Sequence, residues 1–302
     1  MKRLLPYLQL MRLPALFTAL TDTFAGWMMT HSDLEPVSDF VLILLATTGL
    51  YLAGMVFNDV FDVKQDREER PTRPIPSGRV SWINAVILGV VLMSGGLIAA
   101  AAVSTHCLTL AALIAVCVLA YDGILKKTFV GPVAMGGCRF LNILMAAAVG
   151  GSTFAPWQNT FQRPHLGLAL AIGIYITGLT FFARTEALEK SRKRVLILGI
   201  LIANAGLGVL FWLVNVWPGD VPPTNIYLGL GVIALILNRR WVRAISNPEP
   251  RLVQAGVKSG LLSLIVTDAL MLFWKTGEPT YSFVVLAALL PAMFLGRLIP
   301  MT

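Results

Sequence analysis

Ten apolar stretches recur along the chain, at roughly residues 13–30, 40–58, 82–104, 107–122, 132–152, 166–184, 195–215, 225–238, 254–274 and 281–299. Their apolar residues run continuously instead of alternating, which argues for helices and against the strands of a membrane β-barrel. A helix of about 20 apolar residues crosses the hydrocarbon core of a bilayer. The stretch 225–238 is the shortest. The pattern predicts an all-α polytopic protein, a bundle of nine or ten transmembrane helices forming one domain over residues 1–302. Gly173 and Gly178 in LALAIGIYITG, and Gly206 and Gly208 in NAGLG, predict close helix–helix contacts, since small residues let helices approach in lipid. The opening MKRLLPYLQLMRLPALF is expected to be a short amphipathic lead into the first span, because Arg12 and Pro14 interrupt any signal-peptide core.

Composition strengthens this picture. The chain is 56% hydrophobic and 13% charged, against roughly 25% charged in soluble domains, and its mean hydropathy is +0.74. The placement of charge adds an orientation. With the N-terminus inside and the spans alternating, all but two of the 24 Lys and Arg fall on the inner side, the exceptions being Arg163 and Lys275. By the positive-inside rule this places both termini of a multi-pass protein in the cytosol; the membrane expected is a bacterial inner membrane. The net charge of +8 then has a topological origin, with the bilayer as partner and no call for nucleic acid. Three cysteines (Cys107, Cys117, Cys138) lie in or beside apolar stretches without metal-ligand spacing and read as small hydrophobes. The histidines His31, His106 and His165 fall at span ends and read as interfacial.

The chemistry-bearing residues gather after the second span, in VFNDVFDVKQDREERPTRPIPSGR. Asp59, Asp62 and Asp66 stand at i, i+3 and i+7, and Asn58, Asp62 and Asp66 at i, i+4 and i+8, so a continuous helix would carry them on one face. Carboxylates that close repel unless a cation neutralises them, and an all-oxygen donor set favours a hard ion such as Mg²⁺. The bland alternative is a solvated helix end offset by Lys64, Arg67 and Arg70. Arg70, Arg73 and Arg79 follow on a segment that Pro71, Pro74 and Pro76 keep out of helix. Arginine suits bidentate phosphate contacts.

NDVFDVKQD resembles the first aspartate-rich motif, NDxxDxxxD, of the UbiA superfamily of intramembrane prenyltransferases. The RPIPSG that follows, YDGILKKTFVGP between the fourth and fifth spans, and MRLP before the first are similar to that family's pattern in the same order. The resemblance implies a helical bundle around a central cavity. It implies Mg²⁺ held by Asn58, Asp59, Asp62 and Asp66 and bridging to an allylic prenyl diphosphate, whose isoprenoid chain is transferred to an acceptor. Asp59, Asp62, Lys126 and Glu186 are then the expected catalytic residues. Arg73, Arg79, Tyr121, Lys126, Lys127, Arg139, Asn142 and Arg184 are the expected diphosphate contacts.

One departure stands out. The family carries a second aspartate-rich motif after the sixth span, where this chain reads FFARTEALEKSRKR, without aspartate. Either Glu186 holds a second Mg²⁺, or the Arg and Lys there replace that metal with Glu186 orienting them. A third reading keeps the cavity without turnover, as a prenyl-lipid or precursor carrier. Arg139 and Asn142 in GGCRFLN face either the cavity or a neighbouring helix, and with the ARTE segment they resemble a divergent, EboC-like branch. Asp22 and Asp268, inside predicted spans, are either structural hydrogen-bonding groups or acceptor contacts.

Overall fold

The computed structural model describes residues 4–149, 163–184 and 193–299. The described residues form helices at all ten expected positions: α1 (Leu5–Leu10), α2 (Leu13–Met28), α3 (Val37–Phe61), α4 (Val63–Glu69), α5 (Trp82–Val103), α6 (Thr105–Ala120), α7 (Gly131–Ala147), α8 (Arg163–Ala183), α9 (Lys193–Val216), α10 (Pro223–Ser246), α11 (Pro250–Thr276), α12 (Pro279–Ala287) and α13 (Leu289–Leu298). Seven of the spans are long and apolar enough to cross a membrane. Of the other three, α2 and α7 are 16 and 17 residues long, and α10 carries Arg239, Arg240 and Arg243 in its second half. The stretch expected to be shortest is therefore a helix of 24 residues. The last expected span is two short helices meeting at Ala288.

Local sequence explains many of the ends. Ser81 and Ser104 cap α5 and α6, each accepting the backbone N–H three residues on. A side-chain oxygen there satisfies one of the N–H groups a helix start leaves unpaired. Pro14, Pro132, Pro223, Pro250 and Pro279 sit in first turns, where the missing N–H costs nothing. Gly277 ends α11 with φ 65, a left-handed conformation that favours glycine.

The helices close into a ring. α3 packs on α5, α6 on α7, α7 on α8, α8 on α9, α10 on α11, and α2 closes the circle against α7 and α11. The outward faces are apolar: Ile83, Val91 and Ile98 of α5 and Leu228 and Leu235 of α10 are largely exposed, as lipid-facing side chains must be. The polar residues point inward, with Thr18, Thr21, Asp22, Thr23, Thr47, Arg139, Asn142 and Asp268 all buried.

Small residues set the tightest crossings. A Cβ at Gly178 would stand 2.2 Å from the backbone nitrogen of Ala203, and one at Gly206 would stand 2.6 Å from that of Tyr175. At Gly173 it would meet Phe140 Cβ at 3.1 Å, whereas Gly208 faces open space, contrary to expectation. At Gly136 a Cβ would lie 2.1 Å from Thr177 Oγ1 and 2.3 Å from the Gly173 carbonyl. Gly136→Ala is therefore expected to destabilise the fold by about 1–3 kcal/mol through overpacking. Gly208→Ala should be neutral or slightly stabilising. Thermal unfolding of the two purified variants separates these outcomes.

Candidate active site at the charged end of the bundle

The acidic segment does not form one uninterrupted helix. α3 ends at Phe61, Asp62 takes φ −84 and ψ 0, and α4 restarts at Val63. The backbone bonds from Asp62 N to Asn58 O (3.1 Å) and from Asp66 N to Asp62 O (2.8 Å) keep the segment close to helical. Asp59 and Asp66 still share a partner. Arg73 Nη1 donates to Asp59 Oδ1 at 3.1 Å and to Asp66 Oδ2 at 2.7 Å. Asp62 instead accepts from Lys126 Nζ, across from the loop after α6.

The arginine-bearing loop is held against α3 by burial. Ile75 and Val80 pack with Leu10, Val56, Val60 and Ala85 in a small apolar cluster, which fixes where Arg73 emerges. Arg79 donates to the Thr72 carbonyl at 2.5 Å and to Gln9 Oε1 at 2.9 Å. It thereby ties the loop to α1.

Arg12 is a member that motif reading alone did not assign to the site. It stands between α1 and α2 with φ 45, a left-handed conformation that costs a non-glycine residue about 1–2 kcal/mol. Its Nη2 donates to Asp59 Oδ1 at 3.0 Å and to Asn58 Oδ1 at 3.4 Å. Burial opposes its charge, but the charge and hydrogen bond of Asp59 outweigh that and hold its pKa above the ordinary value. The signal in the sequence is an arginine two residues before the proline in the first turn of a span.

The chain from α6 enters the site through a π-helical turn, Tyr121–Leu125, in which Lys126 N reaches back to Tyr121 O at 2.8 Å. Such turns shift the helical register and recur at functional sites. This one directs Tyr121, Asp122 and Lys126 toward α3. Asp122, not among the expected site residues, accepts from Asn58 Nδ2 at 2.9 Å and is buried. An acid at the end of an apolar span was the available signal.

These elements surround a cavity of about 560 Å³. Its charged mouth carries Asn58, Asp62 and Asp66 from the acidic segment and Arg12, Arg70, Arg73, Lys126, Lys127 and Arg184 around them. Its inner wall is Tyr51, Met55, Met135, Ile176, Leu179, Val257 and Leu261. A narrower apolar recess of about 70 Å³ shares Tyr51, Met55, Tyr121, Met135 and Arg139 with it and continues to Leu50, Ile114 and Val118.

Not every expected residue faces the main cavity. Asp59 and Arg79 line an adjoining recess of about 200 Å³ with Arg12 and Arg73. Asn142 lies deeper and is engaged on all sides, accepting from Thr47 Oγ1 at 2.8 Å and donating to Ala19 O and Thr23 Oγ1. Arg139 reaches the cavity wall over the Tyr51 ring, 5.4 Å from its centroid. Its charge is already met by Asp22 Oδ2 at 2.5 Å and Thr18 Oγ1 at 2.7 Å. Asp22 thus pairs with Arg139, and Asp268 lies buried beside it; neither lines the cavity. Arg184 Nη2 donates to the Lys126 carbonyl at 3.1 Å, joining the end of α8 to the lysine loop. Glu186 and Glu189 lie outside the described residues.

Among the described residues, no group of three or more His, Cys, Asp or Glu is arranged to hold a metal. Mg²⁺ does not need one, since it takes one or two carboxylates and completes its shell with water and substrate phosphate. The oxygen donors of Asn58, Asp62 and Asp66 at the cavity mouth fit that ion in kind.

The described residues thus form a helical ring around a cavity that is charged at one end and apolar within. The overall structure superposes on a UbiA homolog from Archaeoglobus fulgidus bound to GPP and Mg²⁺ with a TM-score of 0.64, covering 93% of this chain and 99% of that one at 17% identity. The apo UbiA homolog from Aeropyrum pernix K1 gives a TM-score of 0.57 over 95% and 98%, also at 17% identity. The sequence profile of the UbiA prenyltransferase family matches residues 19–252, and the chain belongs to that family.

Among curated relatives, the digeranylgeranylglyceryl phosphate synthase of Methanoculleus marisnigri is 37% identical over 105 residues, 34% of this chain and 36% of that protein. The synthase of Methanococcoides burtonii is 30% identical over 154 residues, 48% of this chain and 55% of that protein. These matches span less than two thirds of either relative.

Proposed function

We propose that the chain transfers an isoprenoid group from an allylic prenyl diphosphate to an acceptor, in a Mg²⁺-dependent reaction at the cytosolic face of a bacterial inner membrane, with both termini in the cytosol. The observation that carries this reading is a single cavity whose mouth is lined by acids and bases and whose interior is apolar. A prenyl diphosphate has the matching form, a multiply charged head on a hydrocarbon chain. The likeness to proteins named digeranylgeranylglyceryl phosphate synthase and the match to the UbiA prenyltransferase family support the same class.

The residues divide the work. Asn58, Asp62 and Asp66 would hold Mg²⁺, with Asp59 fixing Arg12 and Arg73 behind them. Bound Mg²⁺ supplies charge stabilisation for the departing diphosphate. Lys126 turns from Asp62 to the diphosphate oxygens, and Arg73, held by Asp59, and Lys127 join it in a preorganised positive field where negative charge develops as the allylic C–O bond breaks. Arg184 holds the Lys126 backbone in place for this. Tyr51, Met55 and Met135 keep water from the allylic cation.

A second reading, a prenyl-lipid or precursor carrier without chemistry, has one observation in its favour. Asp59, Asp62 and Asp66 are each already paired with a cation, and the segment 184–192 between α8 and α9 contains no aspartate. Incubating the purified protein with geranyl diphosphate and membrane lipid extract, with Mg²⁺ or with EDTA, separates the two. Transfer predicts Mg²⁺-dependent diphosphate release and a prenylated lipid by mass spectrometry. Binding without release supports the carrier.

Arg12 offers a further test. Arg12→Gly keeps the left-handed backbone and removes the guanidinium. Affinity for geranyl diphosphate is expected to fall roughly tenfold, the scale of one charge-assisted hydrogen bond. Thermal stability should change little, because glycine relieves the backbone strain. A binding isotherm and a melting curve on the same sample check both halves.

A further inference from the structure

Two side-chain hydrogen bonds join α3 to the chain leaving α6, each across 64 positions of sequence. Asn58 Nδ2 donates to Asp122 Oδ1 at 2.9 Å. Four residues further along both segments, Lys126 Nζ donates to Asp62 Oδ2. The two bonds form the rungs of a short ladder, and their settings differ. Asp62 and Lys126 are 17% and 28% exposed and open on the main cavity. Asp122 is buried in the wall of the narrow recess, whereas Asn58 is shared by that recess and the main cavity. Asp122 therefore meets the charged mouth through Asn58.

The partners of Asn58 decide which way its amide points. A guanidinium has only N–H donors. Arg12 Nη2, at 3.4 Å, therefore faces Oδ1, and the amide nitrogen is left to Asp122. The orientation matters because Mg²⁺ takes oxygen ligands. Turned over, the amide would present its N–H groups to the ion and to Arg12, and repel both. We propose that Asp122 is a positioning residue, which holds Asn58 Nδ2 from behind and so keeps Oδ1 available to Mg²⁺. Lys126 leaves its rung to reach the diphosphate, while the buried Asp122 rung stays closed. A group that orients a metal ligand in this way is worth about 10–100-fold in metal affinity. The inference rests on the reading of Asn58 as a Mg²⁺ ligand given above.

The test uses the full-length protein in lipid nanodiscs with geranyl S-thiolodiphosphate. Mn²⁺ serves as a paramagnetic stand-in for Mg²⁺, and its uptake is read by electron paramagnetic resonance. Asp122→Leu leaves the Asn58 amide free to turn, and the dissociation constant for Mn²⁺ should rise about tenfold or more. Asp122→Asn still offers Asn58 an accepting oxygen and should recover most of that loss. In an Asn58→Ala background Asp122→Leu should cost nothing further, because Asp122 acts through Asn58. Melting curves show that each variant is folded, with Asp122→Ala in place of leucine if leucine is not accommodated. Wild-type affinity in Asp122→Leu overturns the proposal. So does an Asp122→Asn protein as weak as Asp122→Leu, or a further loss in the Asn58→Ala background, since either gives the carboxylate a role of its own. A wild type that takes up no Mn²⁺ overturns the Mg²⁺ reading and this inference with it; variants that match a binding wild type overturn this inference alone.

Discussion

Replacing Asp62 with asparagine is expected to lower prenyl-transfer turnover by about a hundredfold or more, the scale of losing one preorganised electrostatic contact at a reacting centre. The fold should survive. Asp62 sits at the helix junction with its side chain partly exposed, and Lys126, its partner, is more exposed still. A pair that is open to water contributes about 1 kcal/mol at most, so the melting temperature should move little. Asparagine keeps the shape and one oxygen donor but removes the charge that both Mg²⁺ and Lys126 use. Steady-state diphosphate release beside a melting curve checks this. An unchanged rate in a folded Asp62→Asn protein would remove this residue from the reaction.

The largest expected loss of stability comes from the middle of the bundle. Asp22 and Arg139 are almost wholly shielded from solvent and bonded at 2.5 Å. Asp22→Ala leaves the Arg139 guanidinium buried with only Thr18 as its bonded partner, which should cost about 3–5 kcal/mol. Replacing both, Asp22→Leu with Arg139→Met, should recover much of that, because two buried charges and their desolvation are removed together. Chemical unfolding of the two single variants and the double variant forms a cycle. Purely additive losses would show that the two side chains do not act as a pair.

This pair marks the boundary of what the sequence makes legible. The helices were readable because lipid demands long apolar runs, and each expected span meets a helix. The acidic segment and the RPIPSG loop were readable because they are contiguous. Asp22 and Arg139 are separated by 117 positions, and only the packing of α2 on α7 brings them together. Sequence spacing placed Arg139 on the cavity or on a neighbour, and the structure places it on both. Asp59 looked equivalent to Asp62, but the interruption at Asp62 and the approach of Arg12 turn it toward a different recess. The π-turn was equally hidden, since one extra residue per turn leaves no mark on hydropathy. Gly208 shares the NAGLG stretch with Gly206, yet only Gly206 points at a neighbour, because helix rotation is set by packing and not by composition.

The central claim is that the charged mouth and apolar interior together hold an allylic prenyl diphosphate. Calorimetric titration of the protein in nanodiscs with geranyl S-thiolodiphosphate, an analogue that binds without ionising, tests it most directly. Saturable binding that requires Mg²⁺, is abolished by EDTA, and weakens about tenfold or more in Arg73→Ala is the predicted result. Absence of binding in the presence of Mg²⁺, or binding that is indifferent to both Mg²⁺ and Arg73, would contradict it.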